Sequence, residues 1–171
     1  MTRRDIIYKW FVYCALGLLP LWVLDGHILP RFPLFGVTPM LLPLAAAAVA
    51  VLEGSFAGAG FGLAVGLLWE MGYPGGFGLL VIGLSLAGLV IGVLAQYALS
   101  QSLPGFLLCS TGLLALLDGF RVARGLITHT APLSALLGVA IPECLLSLAW
   151  APVVYLIFSR VYQRVGGTKL T

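Results

Sequence analysis

Four glycines set four residues apart constrain this chain more than any other feature. Gly54, Gly58, Gly62 and Gly66 recur in the stretch GSFAGAGFGLAVGLLWEMGYPGGFG, and Glu70 falls on the next step. Residues four apart stack on nearly one face of a helix, so the stretch predicts a slowly winding groove almost without side chains, ending in a carboxylate. In water such a helix is poor, because each Gly costs roughly 1 kcal/mol against Ala. In a bilayer an unpaired backbone is costlier, so the helix holds, and small residues let another backbone come close. A helix of this kind is made to be packed against.

Composition points to the same medium. The 171 residues are 61% hydrophobic and 9% charged, a balance that excludes a soluble domain and a disordered chain. The reading is a single all-α, polytopic transmembrane domain over 1–171, with about six helices near 10–24, 39–52, 54–71, 77–99, 103–117 and 133–158. Arg3, Arg4 and Lys9 lie at one terminus and Arg160, Arg164 and Lys169 at the other, with Tyr8 and Trp10 beside the first group. That bias puts both termini in the cytoplasm and needs an even number of spans. It is topological, so no nucleic-acid partner is expected. Cys14, Cys109 and Cys144 sit in apolar runs and read as packing thiols.

In chain order, Pro20 kinks the first span or ends its regular part. Residues 25–38, DGHILPRFPLFGVT, read as an outer loop stiffened by Pro30 and Pro33, with His27 solvated at the interface. Pro39 suits the first turn of the second helix. That helix is short, so it starts earlier, near Phe35, or lies tilted and shielded by its neighbours. After the glycine helix, with Trp69 and Tyr73 at its outer end, GYPGGFG reads as a tight turn. The fourth helix repeats the device in Gly88, Gly92 and Gln96, so the third and fourth helices are expected to pair. Asp118, Arg121 and Arg124 read as a charged outer segment closing the fifth span. Residues 126–140 are a re-entrant stretch or the early half of a bent last span, and Pro142-Glu143 resembles a helix start.

Catalysis needs a nucleophile with its base, paired carboxylates or a metal cluster. The acids in or near the spans are Glu53 on the inner side and Glu70, Asp118 and Glu143 on the outer side, where those three can converge. The sequence carries neither a nucleophile elbow, a His-rich metal motif nor a nucleotide loop. The expectation is a protein that is not an enzyme, without cofactor or metal.

The order LPRFPLFGVTPMLL, a short helix, EGSFAGAGFGLAVGLLWEM, a Gly-rich turn and a Gly-bearing helix resembles the rod-shape-determining protein MreD family. Gly66-Leu67-Leu68-Trp69-Glu70 matches that family's Gly-Leu-Leu-x-acid ending, with Glu where Asp is usual. Pro39 matches the last proline of its loop, while Met40 stands where an acid is common. Ala151-Pro152-Val153-Val154-Tyr155 before a basic tail also fits. The resemblance implies a non-enzymatic scaffold of the bacterial elongation complex in the cytoplasmic membrane. Its partner would be MreC, and through the complex MreB, RodA and penicillin-binding protein 2. It also implies a compact bundle similar to the S components of energy-coupling-factor vitamin transporters. Such a component is the alternative function, with an outer pocket lined by Trp69, Glu70, Asp118, Arg121 and Glu143. On either reading the groove on Gly54, Gly58, Gly62 and Gly66 accepts the fourth span or a partner helix.

Overall fold

The computed structural model describes residues 8, 10–31, 37–72, 78–97, 102–129 and 132–164. Six helices account for most of these residues: α1 Trp10–Ile28, α2 Leu41–Glu53, α3 Ser55–Gly72, α4 Leu79–Tyr97, α5 Leu103–Ile127 and α6 Leu133–Arg164. Four of them, α1, α4, α5 and α6, are long and apolar enough to cross a membrane. Their outward faces carry exposed Leu, Ile, Val and Phe, while Ser110, Asp118, Glu143, Ser147 and Ser159 are buried. A polar interior behind an apolar surface is the pattern of a bundle solvated by lipid.

The centre is α2, LLPLAAAAVAVLE, and not the glycine helix. Every residue from Leu41 to Leu52 is buried. Four successive alanines let neighbours approach from all sides, and α1, α3, α4, α5 and α6 all pack on it. At 1.5 Å per residue its 13 residues rise about 20 Å, short for a bilayer, and its neighbours shield it completely. It begins at Leu41, so of the two expected solutions the shielded one is found.

A helix buried on every side must still satisfy its first N–H groups. Met40 offers no side-chain cap. Instead two other helices supply the acceptors: Ser147 Oγ of α6 accepts the Met40 N–H at 2.8 Å, and Asp25 Oδ1 of α1 accepts the Leu41 N–H at 3.1 Å. Ser147 in turn donates to the Glu143 carbonyl at 2.7 Å. Pro39, which is buried, has no N–H to satisfy.

Gly54 is the entire link between α2 and α3. Its φ of +97° and ψ of −172° belong to a region open only to glycine, and a Cβ there would strike the Gln96 amide.

Three expectations are corrected. First, α1 does not stop near residue 24: it continues to Ile28 and ends in a 3-10 turn, Leu29–Arg31, that includes Pro30. Pro20 deprives the helix of one bond, and π-helical turns at Tyr13–Leu18 and Leu24–Ile28 flank it, widening the helix without breaking it. Asp25 and His27 are therefore helical, and the exposed His27 meets Trp22 edge-on at 5.7 Å. Second, α5 runs ten residues past 117: Arg121 pairs with Glu143 of α6, and Asp118 is buried within the helical run. Third, Pro142 lies inside α6, which starts at Leu133, so residues 133–140 are the early half of that helix. The expected features at Arg3, Arg4, Lys9, Pro33, Tyr73 and Lys169 lie outside the described residues.

Candidate functional site

Two constructions bear on function: the glycine seam and a charged cleft.

The seam joins α3 to α4. An added Cβ on Gly58 would meet the Gly88 carbonyl oxygen at 2.6 Å, and one on Gly66 would meet Val81 Cα at 2.6 Å. Gly62 faces the Leu84 carbonyl, Gly88 the Gly58 carbonyl, and Gly92 the backbone of Ser55, all closer still. As the α3 number rises by four the α4 number falls by three or four, the register of two antiparallel helices in backbone contact. Ser85 Oγ of α4 adds a hydrogen bond to the Ala59 carbonyl of α3 at 3.0 Å. All five seam glycines are buried. The groove is thus filled by the chain's own fourth helix. Glu70 closes the pair, its Oε1 accepting the Gly78 N–H at 2.6 Å just before α4 begins.

Two other glycines receive rings. The Phe158 ring of α6 lies where a Cβ on Gly17 would go, and the Trp10 ring lies against Gly60. Phe158 also meets Phe61 edge-on at 5.8 Å and stacks on Tyr13 at 6.3 Å. At this end of the bundle Tyr13 Oη donates to Glu53 Oε1 at 2.9 Å.

The cleft lies at the opposite end, between the last turns of α5 and the first turns of α6. Here the two helices carry Gly119, Gly125, Ala135 and Ala140, and most of the described residues between 119 and 141 are exposed. The larger cleft, about 630 Å³, has walls of Val122, Leu136 and Val139 and polar groups from Asp118, Arg121, Arg124 and Glu143. A smaller one of about 280 Å³, lined by Leu137, Ile141 and Cys144, shares Asp118, Val122 and Ala140 with it. On α5 the larger cleft takes Arg121, Arg124 and Gly125 and the smaller takes Ala115 and Gly119. Those sets point to different sides of the helix, so the clefts flank the α5–α6 contact and Asp118 sits between them.

The electrostatics are lopsided. Arg121 Nη1 donates to Glu143 Oε2 at 2.8 Å and stands 3.7 Å from Asp118 Oδ1. The Asp118 side chain is 10% exposed, and neither of its oxygens has a hydrogen-bond partner. Arg121, by contrast, is 56% exposed. One guanidinium is therefore given mainly to Glu143, and Asp118 is left with attraction but no bond.

Of the outer residues expected to converge, Asp118, Arg121 and Glu143 do so. Trp69 and Glu70 do not line the cleft, because Glu70 is engaged at the α3–α4 turn. Sequence reasoning did not anticipate the part of Asp25 or Ser147, whose oxygens serve the start of a different helix. Among the described residues no group of three His, Cys, Asp or Glu lies close enough to hold a metal ion. No family model matches the chain, and no curated protein or solved structure matches it.

Proposed function

We propose that this chain is a non-enzymatic membrane scaffold of the MreD kind, embedded in a bacterial cytoplasmic membrane with both termini inside. On this reading it holds MreC, and through the complex MreB, RodA and penicillin-binding protein 2, to lateral wall synthesis. The sequence resemblance from Leu29 to Gly92 supports this family reading, and the basic residues at both ends support the topology.

The observation that carries a docking role is the α5–α6 cleft. The seam glycines are used up internally, whereas the cleft is lateral and open, with apolar walls and a charged floor. Such a surface takes side chains of a neighbouring polypeptide, with charge fixing the register. The direct test is co-expression with the MreC of the same genome and purification in mild detergent. One-to-one recovery of that protein, lost on Val139→Trp in the cleft wall and kept on Leu86→Trp on the lipid-facing side of α4, supports the reading. Recovery indifferent to both substitutions refutes the cleft as the docking site, and no recovery refutes the partner.

A vitamin-binding S component is the second reading. The volume of the larger cleft, within the usual range for small-molecule sites, favours it. The half-open walls, with Arg121 and Val139 each more than half exposed, favour the scaffold. A thermal-shift screen with vitamins separates them: saturable stabilisation by one compound selects transport.

A further inference from the structure

We infer that the larger α5–α6 cleft receives a transmembrane helix of a partner protein that carries an Asp or Glu, and that Arg121 receives the acid. Glu143 holds the guanidinium by Nη1, and Nε and Nη2 are offered to the incoming carboxylate. The inference rests on the docking role proposed above and deepens it, by adding the chemistry of the segment that docks.

Arg121 is only partly committed. Its Nη1 donates to Glu143 Oε2 at 2.8 Å, and among the described residues Nε and Nη2 donate to nothing. A guanidinium carries five N–H donors in a rigid fork, and the edge formed by Nε and Nη2 matches a carboxylate with two parallel bonds. Because Glu143 already fixes the head, little side-chain freedom is lost when a second acid arrives.

Depth decides what can bring that acid. Arg121 comes eighteen residues after Leu103, about 27 Å along α5, within a hydrocarbon layer of about 30 Å. Its head turns back along the helix, since Nη1 stands 3.7 Å from Asp118, three residues nearer the middle of the span. A lipid phosphate stays at the surface from which the head turns away, whereas a neighbouring helix can present a carboxylate at this depth. A guanidinium that is 56% exposed is costly there until something covers it.

The exposed charges select the partner. Asp118 and Glu143 are buried, while Arg121 and Arg124 are exposed, so an incoming helix meets positive charge beside the aliphatic walls of Val122, Leu136 and Val139. A wholly apolar helix would cover Arg121 and leave two of its nitrogens without acceptors. A basic helix would be repelled, and a second copy related by a two-fold axis would bring the same two cations against these. An apolar helix with one acid fits both the walls and the charge.

The test uses the full chain in phosphatidylcholine nanodiscs and labelled Leu-Ala helices of about 20 residues, each with one Glu, Gln or Lys placed at the depth of Arg121. The Glu helix is expected to bind about 10-fold more tightly than the Gln or Lys helix, the worth of one good interhelical bond in lipid. Arg121→Gln should erase that preference. Arg121→Lys, which keeps the charge without the fork, should retain part of it. Should Arg121→Gln fold poorly, the ranking of the three helices on the unsubstituted chain still decides. Equal binding of the Glu and Gln helices, preference for Lys, or an unchanged Glu preference in Arg121→Gln overturns the inference. So does displacement of the Glu helix when phosphatidylglycerol replaces phosphatidylcholine, which would assign Arg121 to a lipid phosphate. Equal recovery of MreC with and without Arg121→Gln would remove the carboxylate contact and leave the scaffold standing. Glu-helix binding without recovery of MreC would keep the contact and remove the named partner.

Discussion

Gly58 and Gly88 face each other across the α3–α4 seam so closely that each backbone carbonyl occupies the space a Cβ on the other would need. Neither helix can slide or separate slightly to admit a side chain without also losing the contacts at Gly62, Gly66 and Gly92, which repeat the arrangement along the same line. Packing, and not propensity, holds these helices.

Gly88→Leu should therefore destabilise the fold by about 3 kcal/mol or more, since overpacking against backbone has no flexible neighbour to displace. Gly83, one turn away on α4 with open space around it, is the control. Gly83→Ala should be neutral or stabilising by up to about 1 kcal/mol. Reversible unfolding in mixed micelles, followed by circular dichroism, measures both. Equal effects would mean that the seam is not a close contact.

The start of α2 depends on side chains borrowed from helices distant in sequence. Ser147→Ala leaves the buried Met40 N–H without its acceptor and should cost about 1 to 3 kcal/mol. Ser147→Thr keeps the hydroxyl and should recover most of that. Hydrogen exchange at Met40 and Leu41 is the local readout, with acceleration expected in the Ala variant alone.

Glu70 acts here as a hydrogen-bond acceptor for the Gly78 N–H. Glu70→Gln retains an acceptor oxygen and should lose less than about 1 kcal/mol, while Glu70→Ala should lose about 1 to 2 kcal/mol. The same unfolding assay decides. If Glu70→Gln proves as damaging as Glu70→Ala, the charge matters in a way that the bond to Gly78 does not explain.

Arg121 and Glu143 form a charge-assisted bond whose acid is buried and whose base is largely exposed. A double-mutant cycle with Arg121→Gln and Glu143→Gln should return a coupling of about 1 to 2 kcal/mol, between that of a surface pair and a fully buried one. A cycle on Arg121 and Asp118 should return less, because that pair is 3.7 Å apart and lacks a hydrogen bond.

The glycine seam was legible because its information is in spacing alone: residues four apart on two helices dictate a face, and the face dictates a neighbour. The central place of α2 was not legible. Pattern reading finds a helix by the contrast between its faces, and Leu41–Leu52 has no contrast because no face is exposed. In the sequence Asp118, Arg121 and Arg124 look like an outer segment because charges ordinarily end a span. Here Asp118 and Arg121 continue α5, and Glu143 of the next helix bonds Arg121 across the contact between the two. The same holds for Ser147 and Met40, which are 107 residues apart and paired only by the fold. Polar groups in the interior of a bundle are specified by their partners, and partners distant in sequence leave no local mark.

The docking role of the α5–α6 cleft is tested most directly by photo-crosslinking in native membranes. A benzophenone side chain at Val139, in the cleft wall, is compared with one at Leu86, on the outward face of α4. Val139 should give a discrete adduct with MreC, diminished by Arg121→Gln, while Leu86 should give lipid adducts alone. An MreC adduct from Leu86 with none from Val139 would contradict the assignment of the cleft.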